Sequence, residues 1–130
     1  MKKTLKEIQE DFKNGSLTVE ALVEEALLRI ERLNPDYQAV ISVLDARAKE
    51  RAEAVDKLVK SGNFKGKLAG IPFIAKDNYL VFGGETTAGS NMLKGFVAPY
   101  QATAIEKLEA EGAICVAKAN LDAFAHGGST

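Results

Sequence analysis

A short apolar run that leads directly into charged residues constrains the fold of this chain more than any other feature. Residues 73–75 (Phe-Ile-Ala) follow Pro72 and run into Lys76, Asp77 and Asn78. An apolar run without polar alternation predicts a strand that is covered on both faces. A proline is compatible with the start of such a strand. Because ligands bind at the carboxyl ends of strands in open α/β sheets, Lys76 is a candidate site residue.

A second apolar run, residues 113–117, follows a predicted helix and completes a strand–helix–strand unit. Thr103 and Glu106 have the spacing of a capping box, which opens the helix. Such a unit predicts two parallel strands joined by a right-handed crossover. Lys118 would then end its strand at the same edge of the sheet as Lys76.

The first 62 residues predict three helices and one strand. The first helix begins with the capping box of Thr4 and Glu7, and the second carries a continuous apolar stripe. Asn34-Pro35 is expected to end the second helix, because the residue before a proline disfavours the helical conformation. The β-branched run within residues 38–44 predicts the strand, and Asp45 begins the third helix.

These elements divide the chain in two. Residues 1–62 form an amino-terminal helical lead-in, and residues 63–130 form the start of an α/β core that is one incomplete domain. The boundary lies in a loop, residues 61–67, that is rich in Gly, Ser and Asn. We expect the sheet to begin after this loop.

The composition is that of an ordinary globular domain, with 46% apolar and 27% charged residues. The 17 basic and 18 acidic residues give a net charge of -1, which excludes a broad basic surface for nucleic acid. A single cysteine and a single histidine exclude a disulfide framework or a zinc cluster made by this chain alone. Cys115 is expected to be a small buried apolar side chain. No window has the length and apolarity of a membrane span, so no membrane partner is expected.

The second half of the chain contains five sequence words in a fixed order, at residues 66–72, 76–78, 86–90, 99–103 and 112–130. Together these words resemble the amidase-signature family, and within it the A subunits of the glutamyl-tRNA(Gln)/aspartyl-tRNA(Asn) amidotransferases. Residues 1–65 match only in their helical character. The resemblance implies an α/β fold, of which this chain is a fragment: amino-terminal helices followed by part of a mixed, largely parallel sheet covered by helices.

The resemblance also implies roles for individual residues. The catalytic lysine of the family falls on Lys76, whereas Lys118 falls on a word that we expect to be structural. Gly128 and Ser129 fall at the start of a loop that helps to line the glutamine site, so both are candidate substrate-lining residues. Family members attack amides with a serine whose proton passes through a second serine to the lysine. Both serines would lie beyond residue 130, so the 130-residue chain alone is expected to be inactive.

The activity that the resemblance implies is hydrolysis of glutamine, which supplies ammonia to convert Glu-tRNA(Gln) to Gln-tRNA(Gln), Asp-tRNA(Asn) to Asn-tRNA(Asn), or both. The implied partners are the B and C subunits of the amidotransferase, together with misacylated tRNA held mainly through the B subunit. That partner would use ATP and magnesium, and this chain would hold no cofactor or metal. The implied location is the cytoplasm, or an organellar matrix in a eukaryote.

Some residues depart from the A-subunit pattern. Gln101 occupies a position where the family has Asp, and Ala123 with His126 replace Glu and Met. These departures leave open another amidase-signature amide hydrolase. A separate alternative, of a different class, is a non-catalytic module whose amino-terminal helices form an interaction surface. His126 and Ser129 do not make a hydrolytic pair by proximity alone, because such a pair needs a third, orienting group.

Overall fold

The computed structural model describes residues 3–128, which form four α-helices, three strands and two short 3₁₀ helices. The α-helices are α1 (Leu5–Asn14), α2 (Val19–Tyr37), α3 (Asp45–Lys60) and α4 (Thr103–Ala110). The strands are β1 (Val40–Val43), β2 (Pro72–Lys76) and β3 (Ile114–Ala119), and the 3₁₀ helices are Asn91–Leu93 and Ala123–Ala125. None of the four α-helices, within the described part of the chain, combines the length and hydropathy needed to cross a bilayer.

The strands form one mixed sheet in the order β1-β3-β2. β2 and β3 are parallel and are connected through α4, which confirms the predicted crossover unit, whereas β1 is antiparallel to β3. The predicted α/β class is therefore confirmed. The expectation that the sheet begins after residue 62 is wrong, because β1 belongs to it. The division of the chain at residue 62 stays a prediction.

The two faces of the sheet pack into separate apolar cores. On one face, three helices of the amino-terminal half share a core with β3, and its buried members are Phe12, Val19, Val23, Leu27, Ala48, Ala52, Val55, Ile114, Val116 and Ala117. On the other face lies a smaller core of Leu44, Ala75, Val81, Ile105 and Cys115. Cys115 is fully buried, as predicted, and burial raises the pKa of its thiol. The amino-terminal helices are thus integral to the packing of the central strand.

Of the two predicted capping boxes, the structure confirms the one at the start of α1. At α1, the Thr4 hydroxyl accepts from the Glu7 N–H at 3.3 Å, and the Glu7 carboxylate accepts from the Thr4 N–H at 2.6 Å. The capping box predicted at Thr103 is wrong, because Ala102 is the N-cap and no side chain caps the helix. The Ala102 N–H donates to Leu80 O at 2.9 Å, and this tertiary bond sets where the helix begins.

Helix α2 does not end at Asn34-Pro35 but continues through Pro35 to Tyr37, so that prediction is wrong. Gln38 adopts a left-handed conformation with φ of 50° and donates its N–H to Asn34 O at 2.7 Å, which closes the last turn. The Asn34 side chain also pairs with the N–H and the C=O of Val40, each at 2.8 Å. These local bonds offset the helix hydrogen bond that a proline cannot donate.

Strand β2 lies at the edge of the sheet within the described residues. The prediction that both of its faces are covered is wrong, because the face that carries Ile74 is open. Ile74 is 46% exposed. Beside β2 lies an apolar groove of about 440 Å³ between the sheet and the second half of α2, lined among others by Ile30, Leu33, Tyr37, Phe73 and Val116. An open edge next to an apolar groove is a surface prone to association.

We expect Ile74→Lys to weaken self-association of the 130-residue chain, because a charge on an edge strand opposes pairing with another strand. The measurement is the average mass in solution over a series of concentrations. Leu28→Lys is the matched control, since Leu28 is 58% exposed on α2 and remote from the strand edge. Equal association of the two variants would contradict an assignment to the β2 edge.

A polar cluster joins α3 to α4 at the other core. Arg47 donates to the two carboxylate oxygens of Glu109 at 2.7 and 3.0 Å, and Gln101 donates its amide N–H to Glu109 at 2.8 Å. The Gln101 oxygen accepts from Arg47 at 3.0 Å and from the Phe82 N–H at 3.2 Å. Burial raises the pKa of Glu109, but the hydrogen bonds from Arg47 and Gln101 outweigh it and lower the pKa overall.

This cluster requires a neutral side chain at position 101. Gln101→Glu keeps the shape but replaces a donor to Glu109 with a second carboxylate, and we expect it to destabilise the fold by about 1–3 kcal/mol at pH 7. Because the lowered pKa of Glu109 stabilises the fold above the ordinary value of 4.5 and this contribution is lost as pH falls, the effect should shrink in acid. Urea unfolding at several pH values measures this. The exchanged pair Gln101→Glu with Glu109→Gln should recover much of the loss, and no recovery would contradict the charge argument.

Candidate active site

Lys76 is the last residue of β2 and its side chain is exposed. It pairs in register with Ala119 of β3, at the carboxyl end of both strands. Among residues 3–128, no side chain or backbone group forms a hydrogen bond or an ion pair with the Lys76 Nζ. The structure therefore places the predicted base at the expected edge of the sheet, with its amine open to a reacting group.

Lys118 has the opposite environment. Its side chain is fully buried, and it lies one residue before the end of β3 rather than at the end. Lys118 pairs in register with Ala75, so it shares a face of the sheet with that residue, whereas Lys76 points to the other face. The two lysines that sequence spacing placed at one edge are thus separated by the sheet itself.

An irregularity in β3 decides which face Lys118 occupies. Phe73 pairs with Cys115, but the next residue, Ile74, pairs with Ala117, so Val116 is an extra residue in β3. One extra residue turns every following side chain to the other face of the strand. Without this bulge Lys118 would point into the larger core instead of toward the loop that follows β2.

Buried Lys118 is fully paired. Its Nζ donates to Asp77 Oδ1 at 3.0 Å, to Thr86 Oγ1 at 3.2 Å and to the backbone oxygen of Glu85 at 3.2 Å. The other Asp77 oxygen accepts from the Thr87 N–H at 3.0 Å and from the Thr87 hydroxyl at 2.5 Å. A buried ion pair is tolerated only when its remaining donors and acceptors are satisfied, and this one meets that condition.

The same cluster fixes the backbone next to Lys76. The Asp77 N–H donates to Ala119 O at 3.1 Å, and the Asp77 backbone oxygen accepts from the Ala88 N–H at 3.1 Å. The Lys76 backbone oxygen accepts from the Tyr79 N–H at 3.0 Å. The turn that follows the candidate base is therefore closed by backbone bonds as well as by a buried side chain.

A polar cavity of about 260 Å³ lies beside Asp77, lined by Ile41, Ser42, Asp77, Glu85, Thr87, Gly89, Ser90, Asn91 and Lys94. It is on the face of the sheet that Asp77 occupies, away from the Lys76 side chain. The Ser42 hydroxyl is buried there without a hydrogen-bond partner in the described residues. In the same part of the chain, residues 3–128, no three His, Cys, Asp or Glu side chains are grouped so that they could hold a metal ion.

The remaining predicted site residues lie near the end of the described chain. Gly128 is exposed, and Ser129 lies outside the described residues. His126 is exposed, and its predicted lack of pairing with Ser129 stays a prediction for the same reason. The preceding segment docks on the loop after β2, since the Phe124 N–H donates to Ala88 O at 2.7 Å.

Close approach of these two segments requires a glycine. Gly89 has φ of 68°, and a Cβ there would lie 3.0 Å from Leu121 O. The sequence words at residues 86–90 and 112–130 therefore meet in space. The sequence pointed to both words but did not show that Asp77 and Thr86 bind Lys118, or that Thr87 binds Asp77. The sequence signal for this cluster is that Asp77, Thr86, Thr87 and Lys118 all fall within the five sequence words that carry the resemblance.

Comparison with known proteins identifies the family. Residues 21–130 match the family model described as Amidase. The chain belongs to the amidase family. Family membership confirms the resemblance on which Lys76 was selected, although the role of Lys76 itself stays a prediction.

Relatives of this amidase-family chain are components of one enzyme, glutamyl-tRNA(Gln) amidotransferase. The chain is 42% identical over 113 residues to the A subunit from Prochlorococcus marinus, covering 87% of this chain and 24% of that protein. It is 43% identical over 129 residues to the mitochondrial A subunit from Bos taurus, covering 98% of this chain and 24% of that protein. The chain thus spans about a quarter of the length of these relatives.

Solved structures with the same fold are amidases. The native peptide amidase from Stenotrophomonas maltophilia superposes with a TM-score of 0.90 at 30% identity, covering 98% of this chain and 27% of that chain. A bacterial aryl acylamidase of the amidase signature family superposes with a TM-score of 0.85 at 27% identity, covering 94% of this chain and 26% of that chain. These similarities confirm the predicted amidase-signature fold.

The buried ion pair between Asp77 and Lys118 predicts that single substitutions at either position lower the free energy of unfolding. Asp77→Asn or Lys118→Met alone leaves one uncompensated buried charge and should destabilise the chain by about 3–5 kcal/mol. The double variant removes both charges at nearly constant volume and should recover most of that loss. Urea unfolding of the four proteins measures the coupling. Simple addition of the two single effects in the double variant would show that the two side chains act independently.

Proposed function

We propose that this chain is the base-bearing segment of the glutamine-hydrolysing A subunit of a tRNA-dependent amidotransferase. The observation that carries the proposal is the environment of Lys76, whose amine is exposed at the carboxyl edge of the sheet in a family of amide hydrolases. The names and identities of the relatives support the choice of this enzyme within the family.

In the proposed mechanism Lys76 accepts the proton that a nucleophilic serine loses when it attacks the glutamine amide. A second serine relays that proton, and both serines belong to the part of the protein beyond residue 130. To act as a base, Lys76 must be in its neutral amine form, which burial by the rest of the protein would favour. Gly128 and Ser129 are proposed to line the glutamine site.

The proposed product, ammonia, passes to the B subunit, which uses ATP and magnesium to amidate Glu-tRNA(Gln), Asp-tRNA(Asn) or both. The C subunit is the third proposed member of the assembly. Misacylated tRNA would be held mainly by the B subunit, in keeping with the net charge of -1 of this chain. The proposed location is the cytoplasm, or an organellar matrix if the source is a eukaryote.

Two other functions have separate support and separate tests. An amide hydrolase with another substrate is favoured by the structural similarity to a peptide amidase at 30% identity. Hydrolysis of peptide amides rather than glutamine by the full-length protein would select it. A non-catalytic module is favoured by the exposed apolar groove at α2. A reading frame that stops after residue 130 would select the module and overturn the proposed enzyme.

The decisive variants are Lys76→Ala and Lys76→Arg in the full-length protein assembled with its two partner proteins. Both should lower the rate of glutamine hydrolysis by about 10²- to 10⁴-fold, the usual cost of removing a general base. Arginine keeps the positive charge but cannot release its proton at working pH, so it separates proton transfer from electrostatics.

Two controls accompany this experiment. Lys65→Ala replaces an exposed lysine in the loop before β2 and should leave hydrolysis unchanged. Amidation of misacylated tRNA with ammonia supplied directly bypasses the glutamine site and should survive in every variant. Near-normal glutamine hydrolysis by Lys76→Arg would overturn the assignment of Lys76 as the base.

A further inference from the structure

We propose that Lys118 is a positioning residue for Lys76, because it anchors and neutralises Asp77, the residue that follows the base. Through this pair the backbone that carries Lys76 is held in place, and the charge of the neighbouring Asp77 carboxylate is compensated. The inference rests on the proposed function, in which Lys76 accepts a proton. It adds a buried residue of the neighbouring strand to the groups on which that step depends.

The position of Asp77 links Lys118 to Lys76. Asp77 is the next residue along the chain from Lys76, and its side chain lies on the opposite face of the sheet, only 1% exposed. Its backbone is bonded on both sides, to Ala119 O and to the Ala88 N–H, each at 3.1 Å. The backbone and the carboxylate of Asp77 together tie the turn that follows Lys76 to β3 and to the loop at Thr87 and Ala88.

Lys118 also compensates the negative charge of Asp77. Within residues 3–128, Lys118 is the one cationic side chain that contacts the Asp77 carboxylate. The other charged groups beside Asp77 are Glu85 and Lys94, which line the adjacent polar cavity. Without Lys118 the negative charge of Asp77 would be left uncompensated next to Lys76. A nearby uncompensated carboxylate favours the ammonium form of a lysine, and that form cannot accept a proton.

Stability alone does not require an ion pair at this place. Apolar side chains of similar volume often stabilise a fold as well as a buried ion pair does, or better. Lys118 nevertheless has all of its donors directed to Asp77, Thr86 and the Glu85 backbone, which hold the loop after β2. The pair therefore serves the geometry and charge around this edge of the sheet, where Lys76 lies.

The experiment measures the pH dependence of glutamine hydrolysis by the full-length protein and its variants. Lys118→Met should move the acid limb of the kcat profile to higher pH by about half a unit or more, because Asp77 is then uncompensated. The double variant Lys118→Met with Asp77→Asn should return the limb to its original position. Its kcat should stay about tenfold or more below normal, because the backbone at Lys76 is less firmly held.

A milder matched pair covers the case in which Lys118→Met does not fold. Thr87→Val removes the hydroxyl that donates to Asp77, whereas Thr87→Ser keeps it. We expect Thr87→Val to lower kcat with little change in KM, and Thr87→Ser to restore it.

The results of these experiments distinguish the positioning role of Lys118 from the proposed function of the chain. Equal kcat for the two Thr87 variants, or an unshifted acid limb in folded Lys118→Met, would overturn the positioning role. Retained hydrolysis in Lys76→Ala would instead overturn the proposed function itself. Thermal melting of every variant separates loss of activity from loss of fold, because a purely structural role predicts that activity follows stability.

Discussion

The buried ion pair between Asp77 and Lys118 is the interaction on which the arrangement of this site depends. Neither charge reaches water, so each must be satisfied by the other and by nearby hydrogen bonds. The partners that satisfy them, Thr86, Thr87 and the Glu85 backbone, all come from the loop that follows β2. The requirement to compensate two buried charges therefore fixes that loop against the end of the sheet, and it leaves Lys76 exposed on the other face.

The amino-terminal half supports this arrangement through the central strand. Ile114, Val116 and Ala117 share one apolar core with α1, α2 and α3, while Cys115 packs on the opposite side. Because β3 is packed on both faces, the two cores hold Lys118 in position together with the loop that binds its amine. Within residues 3–128 no strand pairs with the outer side of β2, and the groove beside it is open. Lys76 is the last residue of this edge strand.

Family membership gives these observations a chemical meaning, and one departure from the pattern that the resemblance implies has a physical reason here. Gln101, where the family has Asp, donates to Glu109 and accepts from Arg47. An acidic residue would bring two carboxylates together at this point. The substitution thus matches the cluster that joins α3 to α4, and it lies away from the candidate base.

The sequence by itself determined the α/β class, the parallel pairing of β2 and β3 and the α1 capping box, because short-range patterns and local hydrogen bonds decide these features. It also pointed to Lys76. Only the three-dimensional structure decided that α2 passes through Pro35, where the Asn34 side chain bonds to Val40 and supports the last turn. It also decided that Ala102 caps α4 and that β1 joins the sheet, since bonds between distant residues outweigh local preference there. The sequence likewise did not show which face of the sheet Lys118 occupies, because one extra residue in β3 turns the residues after it to the other face. Its partners come from a loop whose fold no local pattern specifies.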